Sequence, residues 1–519
     1  MSTMLGEITV TNAPLYELTH KGWVAIATNN DPPQIFVRGD ELVYVAANDE
    51  SARLVPYDRF SLSELMSETA IWTKQLKHDI AIIHPPERVA NVILGWRSEK
   101  YVGAPRLDRV TRTPFFALEQ GASLFDEKHR AHLVTEEGYS AEARAYYAPD
   151  PIYENMPTVD GDEVDLTQAV ELIDGMLTDF PFAGPASRAH AWSLLLLPFV
   201  RELINGDTPM YLITAPTAGT GKGLLTDTLL MPAVGKVPRQ APTAGDEWEK
   251  RITASLLEGP PVILIDNVPP PPHPGLDSPA LATVLTSSGL WEGRVLGSSQ
   301  MVRLPVRNVW VATGNNIDVS NENSRRICRI HLDRETEDPT QGNRFRIPNL
   351  HSWVQRHRME VTWAALTIVQ AWLNADHPEG FDSYEGVFRP LQGAQMKQSY
   401  IEWSRVMGGI LRFVGIEGFL SDAEFIDATE REELDMFFEA WDQHLGGKPW
   451  KRDEVAEAIL MPGSPMKKEL PVELIGIRDD SMRKELGYWL RKNNNRVSGG
   501  RKLVKVPGRP NRWAIKQLG

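Results

Sequence analysis

The sequence predicts an α/β protein built on a parallel sheet, and three observations predict it. Between residues 165 and 345, short apolar runs (TPMYLITAP, PPVILIDNV and RNVWVATGNN) alternate with helical stretches, the pattern of a sheet covered by helices on its faces. Polar motifs fall at the ends of these runs, and ligands of such sheets sit at the carboxyl ends of the strands. The first run leads into AGTGKG, a glycine-rich turn at the start of a helix.

The chain has 519 residues, enough for about two to four domains, with 42% hydrophobic and 24% charged residues, as in an ordinary folded protein. The single cysteine, Cys328, excludes a disulfide or cysteine–zinc framework within the chain. SLLLLPFV (193–200) is shorter than the roughly 18 apolar residues of a membrane span and holds Pro198, so it reads as a buried helix. MSTMLGEITV shows neither the basic nor the apolar segment of an export signal, so a cytoplasmic location is expected. A net charge of −14 argues against a body coated in nucleic acid. The charge is uneven, however. Ser481–Gly519 carries 11 Lys and Arg against one acid, Glu485, so it is +10 while the other 480 residues carry −24. This asymmetry points to one nucleic-acid-facing end on an acidic body.

Four regions separate. Residues 1–160 mix short strands and helices as an α+β accessory domain; QIFVRGDELVYV (34–45) alternates around Arg38-Gly39-Asp40, a hairpin signal. PTVDGDEVD (157–165) reads as a linker. Residues 165–345 hold the parallel sheet. Residues 346–445 are helical, and MEVTWAALTIVQAWL (359–373) puts Val361, Ala365, Ile368 and Trp372 on one core face. Residues 446–519 contain a helix (MRKELGYWLRKN) and then RVSGGRKLVKVPGRPNRWAI, two short strands around a basic turn. Trp513 and Tyr488 are expected to pack the small core there.

The chemistry lies in the second region. YLITAPTAGTGKGLL (211–225) resembles the phosphate-binding pattern G-x-x-x-x-G-K-[ST], with Pro216 in place of the first glycine and Gly223 in place of the hydroxyl. Backbone N–H groups of Ala218, Gly219, Thr220 and Gly221 with the helix N-terminus form an anion cradle, and the segment from Pro216 and Thr217 to Gly223 and Leu224 is the expected nucleotide contact. Lys222 would reach the phosphates. At Gly223 magnesium loses a direct ligand, leaving Thr220, Thr226 or water to fill the place. VILIDN ends in Asp266, placed to hold magnesium. Asn267 stands where many ATPases keep a catalytic glutamate; an amide can orient water but not take its proton. Glu247 and Glu249 of DEWEKR are alternative carboxylates, or residues of a solvated helix face. VWVATGNN places an amide beside the γ-phosphate, Asn315 first and Asn316 second. NSRRICRIHLD supplies Arg325 and Arg326, either a finger acting on a neighbouring subunit or a structural ion pair.

In order and spacing these motifs look like an AAA+ (P-loop NTPase) ATPase of the superfamily 3 helicase type. Residues 185–335 resemble the module of phage, plasmid and integrative-element primase-helicases and replication proteins, which share a similar T-G-N-N run, an R-R pair and a strand ending in D-N. The 446–519 tail resembles their winged helix, and GAPRLDRVTRTPFF…EEGY their accessory domain. The resemblance implies ATP and Mg2+ as cofactors and a 165–345 AAA+ ATPase domain.

WEGRVLGSSQMVRLPVRN (291–308) reads as a hairpin, which in the resembling helicases enters the ring channel and grips one DNA strand. Arg294, Arg303 and Arg307 are then backbone contacts, or else solvated surface arginines. In the tail, Arg491, Lys492, Arg496, Arg501, Lys502, Lys505 and Arg509 cluster as a phosphate-neutralising patch for duplex or fork DNA. Residues 1–160 show no metal-ligand spacing and no carboxylate cluster of a primase, so priming would come from a separate protein. The resulting expectation is an ATP-dependent DNA helicase or translocase of a mobile genetic element, a homo-hexameric ring with no membrane attachment. The rival is a non-unwinding AAA+ switch, such as a helicase loader or DNA-bound regulator, which Gly223 and Asn267 favour.

Overall fold

The computed structural model describes residues 5–517 apart from 120–121, 126–129, 217–218, 237, 271–274, 296–300, 316, 318, 320–322, 324, 334–344, 377–380, 385–386, 391–397, 472–473, 494–496, 499 and 507–510. Thr217, Ala218, Asn316, Arg496 and Arg509 therefore lie outside the described residues. The chain divides into two compact units, residues 1–392 with 396–420, and residues 421–519 with 393–395. The helices between 346 and 445 are shared out between them: Leu350–Arg356, Arg358–Asn374 and Ile401–Phe413 fall in the first, Asp422–Leu445 in the second.

At the centre of the first unit is a five-stranded sheet. Its order is Arg239–Gln240, Val262–Val268, Val309–Asn315, Met210–Ala215, Ile327–His331, and every neighbouring pair is parallel. Numbered along the chain that order is 2-3-4-1-5. The fourth strand is inserted between the first and third, which sets the ends of the three motif-bearing strands side by side. Met210–Ala215 is buried at all six positions, as a two-faced strand must be. Helix Pro185–Val200 covers it; every residue of SLLLLPFV is buried, as the apolar run predicts. In helix Arg358–Asn374 the expected face (Val361, Ala365, Ile368, Trp372) is fully buried.

The 157–165 segment is not a free linker. Trp363 Nε1 donates to the Thr158 carbonyl (3.1 Å) and Asn374 Nδ2 to the Asp160 carbonyl (2.8 Å). Gly161, at φ 68°, lies so close that a Cβ there would sit 2.5 Å from the Ala371 nitrogen. Its acidic, Gly-containing composition serves close backbone approach and the N-cap Asp162 of helix Glu163–Leu177, rather than flexibility.

The accessory residues form their own core of Leu18, Trp23, Ile26, Leu62, Met66, Trp72 and Ile93. The 34–45 hairpin is present as Ile35–Arg38 paired antiparallel with Glu41–Ala47, turning at Gly39 (φ 59°). This domain is locked to the sheet by a buried ion pair, Arg109 Nε to Glu202 Oε1 at 3.1 Å, and by Arg38 Nη2, which donates to the Leu256 carbonyl (2.6 Å).

The second unit packs helices Asp422–Leu445, Arg452–Leu460 and Asp479–Lys492 on an antiparallel sheet ordered Trp450–Lys451, Arg512–Gln517, Arg501–Val506, Val497–Ser498. Trp513 joins its core, but Tyr488 is 54% exposed. The reason is register: Met482, Leu486, Trp489 and Leu490 take the inner face of the helix, which turns Tyr488 outward.

Candidate functional site

The glycine-rich turn works as its dihedrals require. Gly219 (φ 83°) and Gly221 (φ 102°) adopt left-handed backbone that other residues resist, and Gly221 caps helix Lys222–Val234. Lys222, half-buried as its first residue, donates from Nζ to Asn315 Oδ1. Asn315 pairs in register with Ala215 of the neighbouring strand, so the lysine and the amide meet at the same sheet edge. Burial lowers the Lys222 pKa, and the Asp266 charge opposes that shift.

Asp266 lies near the carboxyl end of the next strand over, Val262–Val268. Its Oδ1 accepts from Thr313 Oγ1 (2.6 Å) and its Oδ2 from Arg239 Nη1 (2.8 Å). Burial alone would raise its pKa, but these hydrogen bonds and the Arg239 charge outweigh it, so the carboxyl titrates below the usual range. Asn267 follows at φ 58°, with the ladder shifted between Ile265 and Val268, and its N–H donates to Thr313 Oγ1 (2.9 Å). Thr313 thus pins both residues. Gly314 allows the tight approach of this strand: a Cβ there would lie 2.5 Å from Ile317 Cδ1 and 2.7 Å from the Val268 carbonyl oxygen.

Sequence reasoning missed Thr313, Arg239 and Asp227. Arg239 Nη2 donates to Asp227 Oδ1 (2.6 Å), and His351 Nδ1 lies 3.5 Å from Asp227 Oδ2. It also missed a 300 Å³ cavity beside the turn. Gly219, Gly221 and Leu224 form one wall; Met176, Phe180, Pro181, Ile347 and Leu350 supply apolar surface. A planar base fits such a lining. These residues carry no spacing signal, because two segments distant in sequence, 175–181 and 345–351, contribute them.

No group of three or more His, Cys, Asp or Glu that could hold a metal occurs among the described residues. A single carboxylate beside a lysine fits magnesium delivered with phosphates rather than a protein cage. Thr226 does not stand in for the missing hydroxyl: it is fully buried and donates to the Lys222 carbonyl (2.8 Å). Thr220 is also buried, whereas a Cβ at Gly223 would meet nothing within 4 Å. Glu247 is exposed and paired with Lys250 (2.5 Å), and Glu249 is exposed on the same helix turn.

Arg325 and Arg326 precede strand Ile327–His331, and the Arg326 carbonyl accepts from Met210 N (3.0 Å). They sit at the amino end of the sheet, whereas Lys222, Asn315 and Asp266 gather at its carboxyl end. Five strand steps at about 3.3 Å each separate the two ends by roughly 16 Å. The pair therefore does not face its own chain's loop.

The 291–308 hairpin is present as Leu290–Arg294 against Met301–Pro305. Trp291, Gly293, Val302 and Leu304 pack inward, with Trp291 Nε1 donating to Thr253 Oγ1 (3.0 Å). Arg294 and Arg303 point outward, Arg303 beside Glu292 (3.6 Å). Arg307 differs. Only 13% exposed, it lies 3.9 Å from Glu202 and donates to the Ile204 carbonyl (3.2 Å). In the second unit Arg491 is exposed and stacks over Tyr488 (4.7 Å). Lys505 is exposed; Lys502 is half-buried opposite Lys516; Arg501 contacts Asp442 (3.4 Å). Lys492 closes the helix that carries Arg491.

No protein-family model and no curated protein sequence matches the chain. Among solved structures it is similar to the NrS-1 C-terminal region (10% identity, 92% of this chain and 96% of that one, TM-score 0.31). It is similar to the SCCmec type IV Cch helicase (12%, 94% and 93%, TM-score 0.34) and to the JCV helicase (13%, 47% and 66%, TM-score 0.21). Likenesses this faint fix neither fold nor activity. No helix among the described residues is long and apolar enough to cross a membrane.

Proposed function

We propose that the chain is an ATP-dependent DNA helicase or translocase of the AAA+ superfamily 3 type, working as a ring, a homo-hexamer, in replication of a phage, plasmid or other mobile element. The observation that carries this reading is the meeting of Lys222, Asn315 and Asp266 at the ends of adjacent parallel strands beside an apolar cavity. Lys222 holds the β- and γ-phosphates. Asn315, already hydrogen-bonded to it, orients the terminal phosphate and the attacking water. Asp266 holds magnesium, which when bound neutralises charge developing on the phosphoryl oxygens. Because Arg325 and Arg326 lie at the far end of the sheet, they serve the site of a neighbouring subunit, and the ring is what brings them there. Arg294 and Arg303 grip single-stranded DNA from the hairpin. Arg491, Lys502 and Lys505, in a winged-helix tail, meet the duplex or fork.

One observation favours a second reading. Asn267 supplies no base, and Gly223 no magnesium ligand, so a slow AAA+ switch such as a helicase loader also fits. Displacement of a labelled strand from a tailed duplex separates the two. ATP-dependent displacement supports the helicase; tight ATP binding with no displacement favours the switch.

A further inference from the structure

We infer that the accessory domain forms, with the outer face of the hairpin, a groove that binds a single-stranded phosphodiester chain; this rests on the helicase reading above and gives residues 1–160 a part in it. A cavity of 740 Å³ runs between them. One wall is the hairpin face that alternation turns outward: Arg303 flanked by Leu290 and Met301, which are 53% and 48% exposed. The other wall is accessory backbone carrying Arg97, Arg106 and Arg144. The walls are braced against each other, since a Cβ at Gly39 would lie 2.6 Å from the Arg303 carbonyl oxygen. The groove is therefore a packed feature of one unit.

Its charges favour an anion with repeating phosphates. Arg106 is exposed and Arg144 half-buried, and neither side chain makes an ion pair among the described residues. Arg144 is held at φ 48°, its carbonyl accepting from Asp108 N (2.7 Å). Four carboxylates also line the groove: Asp40 is engaged by Arg97 (2.8 Å), Glu292 by Arg303 (3.6 Å), Asp108 faces the buried Arg38 guanidinium, and Glu99 is exposed to solvent, against the five arginines Arg97, Arg106, Arg144, Arg303 and Arg307. The solvent-exposed pairs at Asp40 and Glu292 hold weakly and yield to a phosphate. The arginines supply the charged groove that tracks the backbone in sequence-tolerant strand binding, and the exposed Leu290 and Met301 add apolar contact for the bases.

The test is the salt dependence of oligo(dT) and oligo(rU) binding by the whole chain, as wild type, as Arg106→Ala/Arg144→Ala, and as Arg106→Lys/Arg144→Lys. Removing two phosphate contacts should lower the slope of log K against log salt by about 1.4, and weaken binding roughly 25-fold at about 0.1 M salt. The Lys pair, which keeps the charges, should retain the wild-type slope. Loss with either polymer supports the groove and names the sugar it accepts. An Ala pair that binds both polymers with wild-type affinity and slope overturns the groove alone. A wild-type protein that binds neither polymer overturns the helicase reading with it.

Discussion

Replacing Arg239 by Ala tests the electrostatics of the Asp266 site without any nucleotide. Its guanidinium lies 2.8 Å from Asp266 and 2.6 Å from Asp227, and it is 35% exposed. Two partly exposed pairs of this kind contribute about 0.5–2 kcal/mol together. Removing the cation also leaves the two carboxylates it bridged without a counter-charge, and their mutual repulsion adds to that loss. The variant should therefore unfold at lower urea, by about 1–3 kcal/mol. Magnesium alone, held between the carboxylates through its waters, should restore part of that loss, because binding to the folded state adds stability. In wild type the arginine already occupies that place, and magnesium alone should do little. The pH dependence follows the same logic. Asp266 is held below its ordinary value, so its stabilising contribution is complete above about pH 4 and is lost as pH falls through the depressed folded value. Without Arg239 that acid-side loss should shrink. Equal stability, or an equal response to magnesium in both proteins, would refute the reasoning.

Three further outcomes follow from the geometry. Gly223→Ser places a hydroxyl where the added Cβ meets nothing within 4 Å; it should be tolerated, add about 0.5 kcal/mol of helix stability, and lower the magnesium concentration that half-saturates ATP turnover. Gly314→Ala drives a methyl into Ile317 and the Val268 carbonyl and should cost about 1–3 kcal/mol by urea unfolding. Arg325→Ala/Arg326→Ala should leave ATP binding intact while lowering turnover about a thousandfold or more; mixed with Lys222→Ala subunits it should regain activity, since an intact loop can then meet an intact arginine pair.

Much of the fold was legible because it is written in local patterns. The strands 210–215, 262–268 and 309–315 are continuous apolar runs, and the 290–305 hairpin alternates buried and exposed residues. What stayed hidden depends on partners distant in sequence. Arg307 lies only four residues beyond Arg303, but the strand ends at Pro305 and Glu202 captures the guanidinium. Tyr488 reads as core by composition, yet the helix register gives the inner face to Met482, Leu486, Trp489 and Leu490. Thr313 looks like one more strand residue until the register sets it between Asp266 and Asn267. The apolar walls of the cavity carry no motif beyond the glycine-rich turn, because residues 175–181 and 345–351, far apart in sequence, supply them.

The central claim is that the altered turn at Lys222 powers movement on DNA. Its most direct test is ATP hydrolysis by the purified chain, with and without single-stranded DNA, beside Lys222→Ala. The account predicts turnover stimulated several-fold by DNA and abolished in the variant. Turnover that survives Lys222→Ala, or ATP binding with no hydrolysis in either condition, would contradict it.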